Sequence, residues 1–252
     1  RLFQGQLPAV LHGRGARLSL GGDLERLSLQ MSMAGEPALA VEGNVSLLAA
    51  ELPFSAALTA QWSPGATLAS VADLEPTGQA AEIVLEDALR LAVTGDRQHQ
   101  RIQVETALSG LGYRPLAVTA SARHEYQSVV VETLVVSDDS GYNTLQGTGE
   151  VTLGESLAWH FNLHTSGLDL PQLDSALQGR LAGRMQLLGT VHGPDWQLEL
   201  EDVQLDGEVN RLPASVMGHA ALSDGLRLGA SSLRATVNGA RLDLRAAGEA
   251  DE

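Results

Sequence analysis

Apolar and polar residues alternate through long tracts of this chain. Residues 156 to 164, SLAWHFNLH, put Leu157, Trp159, Phe161 and Leu163 on one parity and Ser156, Ala158, His160, Asn162 and His164 on the other. A period of two marks a strand with one buried face. Leu27, Leu29, Met31 and Met33 repeat it, and beyond the turn Gly35-Glu36-Pro37 so do Leu39, Val41, Val45 and Leu47. Phe54, Ala56, Leu58, Ala60 and Trp62 continue the pattern, followed by Ile83 with Leu85, Leu91 with Val93, Ile102 with Val104, and Leu116, Val118 and Ala120. Downstream come Leu181, Met185 and Leu187, and after the turn His192-Gly193-Pro194-Asp195 come Trp196, Leu198 and Leu200. The series ends with Leu226 and Leu228, with Leu233, Ala235 and Val237, with the hairpin dipeptide Asn238-Gly239, and with Leu242 and Leu244. This predicts an all-β chain of about 20 strands, spaced as in an antiparallel meander.

Two segments leave the period of two. Residues 168 to 177, LDLPQLDSAL, place Leu170, Leu173 and Leu177 at helical spacing with Pro171 near the start, which predicts a short helix or turn packed on the sheet. Residues 67 to 78 carry a weaker version in Leu68, Val71 and Leu74. A polar interruption at 137 to 148, SDDSGYNTLQGT, reads as an exposed loop or a boundary. The expected organisation is therefore a β segment over 1–136, the polar loop over 137–148, and a second β segment over 149–252.

A sheet built this way has an apolar face that something must cover. It can close into a sandwich or barrel, coil as a solenoid, or leave a groove that holds an apolar guest. Aromatic residues make up only 4% of the chain, so the inner face is mainly Leu, Val, Ala and Met. Gly43 and Gly183, among 27 glycines, fall in the inner register, where glycine marks a bend or a need for room. That composition suits a curved sheet.

Charge narrows the function further. The formal net charge is -15, and all 16 basic residues are arginine. An acidic surface without a basic stripe argues against nucleic acid and against anionic head groups. Cysteine is absent, which removes disulfides, thiolate metal sites and cysteine nucleophiles together. No run approaches 18 apolar residues, and the chain opens at Arg1 without a signal-like segment, so it reads as part of a longer protein.

Enzyme chemistry finds little footing. His160 and His164 have the i, i+4 spacing of a helical metal site, but four residues of strand span about 13 Å, too far for two ligands of one ion. The remaining histidines, at 12, 99, 124, 192 and 219, show no ligand spacing. Asp138-Asp139 reads as a solvated turn, and GRGARL at 13 to 18 has Leu18 where a phosphate loop needs its last glycine. No catalytic residue, metal or cofactor is expected.

The C-terminal third carries a recognisable texture. LQGRLAGRMQLLGTVHGPDWQLELEDVQLDGEV, followed by GLRLGASSLRATVNGARLDLRAAGE, repeats Leu-x-Gly-x-Leu-x-Gly, Leu-x-Gly, a Pro turn, Leu-x-Leu and Leu-x-Gly. Over 177 to 248 this resembles the TamB family, within the wider AsmA-like family, and the LDLPQLDSAL segment precedes it as it does in those proteins. The resemblance implies a long taco-shaped sheet with an apolar groove, lying in the periplasm as part of an inner-membrane-anchored protein of a Gram-negative envelope. It implies movement of phospholipids between inner and outer membranes. It also implies support for outer-membrane protein and autotransporter assembly with a barrel partner, TamA. The groove would be lined by Leu157, Trp159, Phe161, Leu163, Leu181, Met185, Leu187, Trp196, Leu198, Leu200, Leu242 and Leu244, with phospholipid acyl chains as the guest. The alternative is a closed β-helix or sandwich serving as an adhesin or passenger with no lipid ligand.

Overall fold

A computed structural model of the chain describes residues 15–63, 84–110, 113–138, 144–154, 156–173, 176–193, 195–223 and 227–246. The strands are β1 (Ala16–Gly22), β2 (Leu27–Met33), β3 (Ala38–Val45), β4 (Phe54–Gln61), β5 (Val84–Leu85), β6 (Leu89–Gly95), β7 (Gln100–Gly110), β8 (Tyr113–Glu125) and β9 (Ser128–Asp138). They continue as β10 (Thr144–Thr152), β11 (Leu157–Asp169), β12 (Gly179–His192), β13 (Asp195–Val209), β14 (Leu212–Ser223), β15 (Arg227–Leu228), β16 (Ser231–Val237) and β17 (Ala240–Ala246). A single helical turn, α1 (Leu170–Leu173), follows β11. The 67–78 segment and the predicted strand positions Ile83 and Leu226 lie outside the described residues.

The seventeen strands form one sheet. Neighbours in sequence are neighbours in space, and every pair is antiparallel. Two strands are broken in the middle: β5 and β6 both pair with β7, and β15 and β16 both pair with β14. Each of these couples makes one rung, so seventeen strands give fifteen rungs. Among the described residues β1 and β17 pair on one side only, which leaves the sheet open. A closed β-helix is therefore not the fold, since its strands would run parallel around a coil.

Turn chemistry sets the register. Asn210 and Arg211, both at positive φ, join β13 to β14, and Asn238-Gly239 joins β16 to β17 the same way. Two residues at positive φ make the turn whose twist matches paired strands. At the β1–β2 turn the Asp23 carboxylate accepts the backbone N–H of Glu25 and of Arg26. Asp96 does the same for Gln98 and His99 between β6 and β7. Within the expected polar boundary, residues 137–138 end β9 and residues 144–148 begin β10, and these strands pair along their length, so the sheet continues from one to the other.

Register also fixes the two faces. A row of directly opposed residues runs Leu20, Leu29, Gly43, Ala56, Val93, Ile102, Ala122, Val131, Gly149, Phe161, Leu187, Leu200 and Ala220. Every member is apolar or glycine. One parity away, Ser19, Gln30, Glu42, Ala57, Ala92, Gln103, Ser121 and Thr133 form a row on the other face. Further along that face run Gln146, His164, Arg184, Gln204 and Met217. A slip of one residue would exchange the faces.

Among the described residues, register shifts in β9, β13 and β11, and a fourth where Leu108 and Gly110 of β7 meet Leu116 and Tyr113 of β8, preserve the parity where the sequence breaks it. In β9 the apolar face takes Val129 and Val131, then Leu134 and Val136, with the extra residue at Glu132-Thr133. In β13 it takes Leu198 and Leu200, then Val203 and Leu205, with Glu201-Asp202 turned aside and Asp202 at positive φ. In β11 the step falls between Thr165 and Leu168. Bulges bend a strand and strengthen its twist, so their recurrence favours curvature.

The best-covered part of the apolar face lies around β11–β14. Leu170, Leu181, Val203, Leu205 and Ala214 form a buried cluster, flanked by Leu168, Leu177, Met185, Leu200, Val209, Val216 and Val237. Leu170 arrives from α1, which touches both β8 and β12. Four strand spacings of about 4.8 Å separate those strands along a flat sheet, so a sheet curling around the helix brings both into its reach. Thr165, fully buried at the start of this region, has its hydroxyl satisfied by the Gly167 N–H at 3.1 Å.

Candidate functional site

The open apolar face is the feature that distinguishes this molecule, and the twelve expected lining residues all lie on it. In β11, Leu157, Trp159, Phe161 and Leu163 oppose Val191, Gly189, Leu187 and Met185 of β12. Leu181 opposes Leu168. Trp196, Leu198 and Leu200 of β13 oppose Val191, Gly189 and Leu187 from the other side. Leu242 and Leu244 of β17 oppose Ala235 and Leu233, and Leu233 in turn opposes Gly218 and, through it, Val203.

Their surroundings differ along the face. Leu163 and Leu181 are buried at 6% exposure, whereas Leu242 and Leu244 stand at 57% and 56%, since among the described residues β17 pairs with β16 alone. Leu157, at the start of its strand, is 39% exposed. The apolar face is thus graded from covered to bare.

The aromatic residues lie flat, for a reason the sequence alone does not reveal. Gly189 stands directly opposite Trp159, and a Cβ there would overlap the indole ring. Gly149 opposes Phe161, whose Cδ1 would sit 2.5 Å from an added Cβ, and at Gly147 the Leu163 Cδ2 would sit at 2.6 Å. Large side chains on β11 therefore lean over glycines on both neighbouring strands, as aromatic residues do when they cover cross-strand glycine. The surface keeps its apolar area without tall projections.

A second concavity on the same face lies among β1–β4. This open concavity of about 510 Å³ is lined by Leu20, Leu27, Leu29, Leu52, Phe54 and Arg97 among others. Leu27, Leu29, Val45 and Phe54 are legible from the sequence as strand residues, but the cavity is not, because Arg97 reaches it from the β6–β7 turn, more than forty residues beyond Phe54.

The histidines fall elsewhere. His160 opposes Glu150 and Leu188, and His164 opposes Gln146 and Arg184, both on the exposed outer face. His124 contacts the Gln100 side chain, and the Ser156 hydroxyl meets His192 Nδ1 at 2.8 Å on the surface. Asp138 corrects the expectation of a solvated turn: it ends β9 opposite Leu116, on the apolar parity, and is only 8% exposed. Asp139 lies outside the described residues. Among the described residues no three His, Cys, Asp or Glu side chains group as a metal site, and no helix is long and apolar enough to cross a membrane.

Fold and face together define an elongated, open, two-faced β-sheet protein with a continuous apolar side. The chain belongs to the TamB family: the model of the TamB N-terminal domain matches residues 4–252. No solved structure matches it. Proteins of this family are transport and assembly scaffolds of the Gram-negative envelope, acting in the translocation and assembly module with TamA.

Proposed function

We propose that this chain is a stretch of a periplasmic conduit whose apolar face receives phospholipid acyl chains as they pass between the inner and outer membranes. By the same reading it supports outer-membrane protein and autotransporter assembly with TamA. The observation that carries this is the unbroken apolar row from Leu20 to Ala220 on a sheet that does not close. Each methylene withdrawn from water is worth about 0.8 kcal/mol. An acyl chain of about 16 carbons therefore leaves a bilayer only for a surface that replaces most of that burial.

Movement asks for a lining without deep wells. Leu, Val, Ala and Gly offer dispersion contacts of similar depth at every rung, and the flattened Trp159 and Phe161 keep the path level. A pocket with several fixed hydrogen bonds would hold the lipid instead. The twelve lining residues named above serve as the path, and the head group stays in water.

Photo-crosslinking tests this. A photoreactive side chain at Phe161 or Leu198 is expected to capture phospholipid in the cell envelope, whereas one at Asn162 or Gln197, on the outer parity, is not. Equal capture on both faces, or none on either, would refute the conduit.

A further inference from the structure

Three turns meet at one corner of the sheet. The Leu47 N–H donates to the Leu24 carbonyl at 2.9 Å, which ties the β3–β4 turn to the β1–β2 turn. The Arg97 N–H donates to the Glu51 carbonyl at 3.1 Å, which ties the β6–β7 turn to the β3–β4 turn. The result is a stitched rim beside the 510 Å³ apolar concavity.

This rim is unusually apolar for loop tips. Leu24, Leu47 and Leu48 are 60%, 43% and 63% exposed, and on the adjoining edge strand Leu18 and Leu20 are 60% and 64% exposed. Scattered exposed leucines need no explanation, but Leu24, Leu47 and Leu48 stand on turns that are tied together beside a cavity lined by Leu20 and Leu52, and so form a patch. Arg97 lines the concavity with the apolar part of its side chain, is exposed, and its guanidinium meets no hydrogen-bond or ion-pair partner among the described residues. A guanidinium presents paired N–H donors that match a phosphate.

We propose that this corner is a mouth of the groove: Leu24, Leu47 and Leu48 seat in the interface of a bilayer, and Arg97 holds the phosphodiester of a zwitterionic phospholipid whose acyl chain enters between Leu29 and Phe54. The proposal rests on the conduit reading and adds its point of entry and its head-group class. Zwitterionic lipid follows from the local charge. Asp23, Glu25, Glu51 and Asp96 outnumber Arg26 and Arg97 on the three turns, within a chain of net charge -15. A head group with net negative charge is repelled there, while an ammonium paired with the phosphate finds carboxylates beside Arg97. The volume lies within the roughly 300–1,000 Å³ of small-molecule sites, enough for one long hydrocarbon chain.

Transfer of a fluorescent phospholipid to the purified chain tests the mouth, with vesicles of phosphatidylethanolamine and phosphatidylcholine as one donor and detergent micelles as the other. The double variant Leu24→Glu, Leu48→Glu is expected to slow loading from vesicles at least tenfold and to leave saturation from micelles unchanged. Arg97→Gln is expected to weaken the phospholipid about fivefold and to leave a long-chain alcohol, which has no phosphate, unaffected. Adding phosphatidylglycerol to the vesicles should slow loading. Wild-type loading by the leucine variant, an equal effect of Arg97→Gln on alcohol and phospholipid, or faster loading from anionic vesicles would each overturn the mouth. A control, Leu29→Asp, should abolish uptake from both donors. If the wild-type chain itself takes up lipid from neither, the conduit reading falls with the mouth.

Discussion

The β11–β14 region and the β1–β4 corner are written in the same pattern and end in opposite conditions. Both alternate aliphatic and polar residues, and both put the aliphatic parity on one continuous face. Around β11–β14 that face is covered: Leu181, Val203 and Leu205 are 6%, 7% and 8% exposed beneath Leu170. At the β1–β4 corner, Leu20, Leu24 and Leu48 are 64%, 60% and 63% exposed and the face opens into a cavity, although Met33 and Ala60 at the far ends of β2 and β4 are buried. Alternation specifies which side is apolar. Whether that side is covered or bare is decided in part by residues outside the strands, here Leu170 of the helical turn that follows β11.

The sharpest way to break this comparison is to put a charge on each side of it. Leu205→Asp buries a carboxylate in the covered cluster without a partner, at a cost of several kcal/mol, against a total stability of about 5–15 kcal/mol. Leu20→Asp places the same group where 64% of the residue already meets water, and such surface changes stay within about 0.5 kcal/mol. Urea unfolding followed by circular dichroism should show the first variant unfolded or strongly shifted and the second near wild type. Similar midpoints for both would mean that the two regions are not covered differently.

Truncating the cover is the next largest effect. Leu170→Ala removes an α1 side chain seated in the cluster, and large-to-small changes at buried leucine cost about 2–5 kcal/mol. The position tolerates collapse poorly, because Pro171 in the first turn fixes the backbone of α1. Thermal unfolding should register the loss, and a dye that reports exposed apolar surface should bind more strongly. An unchanged dye signal would show that Leu170 packs without covering.

How far the sequence reveals this division depends on the range of each interaction. Parity is local, so the strands from Leu27 to Leu244 and the Asn238-Gly239 hairpin are readable from periodicity. The short helix was readable too, from Leu170 and Pro171. What it covers was not, because β8 meets it from over forty residues upstream. The bulges left a trace in the doubled polar steps Glu132-Thr133 and Glu201-Asp202, where alternation skips a beat. The glycines at 149 and 189 acquire meaning only once register sets them against Phe161 and Trp159. The same holds for Arg97, whose place at the cavity depends on the bond to Glu51.

Those glycines give a smaller test within the covered region. Gly189→Val sets a branched side chain where the Trp159 indole now lies, and overpacking of this kind costs about 1–3 kcal/mol. Displaced from the sheet, the indole should meet more water and its fluorescence should move to longer wavelength. Gly193→Val serves as the contrast, since an added Cβ there meets nothing within 4 Å, although its φ of 59° strains any branched residue. A red shift from Gly193→Val alone would remove the account of flattened aromatics.

The smallest effect lies at the bare end of the sheet, where surface charge replaces burial. Arg241 Nε, on the same strand β17, and Arg234 Nε, across from β16, donate to the two oxygens of Asp243 at 2.7 and 2.9 Å. Those bonds, Arg241 first and Arg234 second, hold the Asp243 carboxyl below its ordinary value of 3.8. A depressed folded-state pKa means that the contribution is complete above the unfolded value and is lost as pH falls through the folded one. The β16–β17 hairpin should therefore fray in acid before the covered cluster responds, and added salt should weaken the pairing, because all three side chains are well exposed. Carboxyl NMR of Asp243, with amide exchange along β17, measures both. An Asp243 midpoint at or above 3.8, or exchange in β17 that does not rise at low pH relative to Asp243→Asn, would show that the bare end is held by its backbone ladder alone.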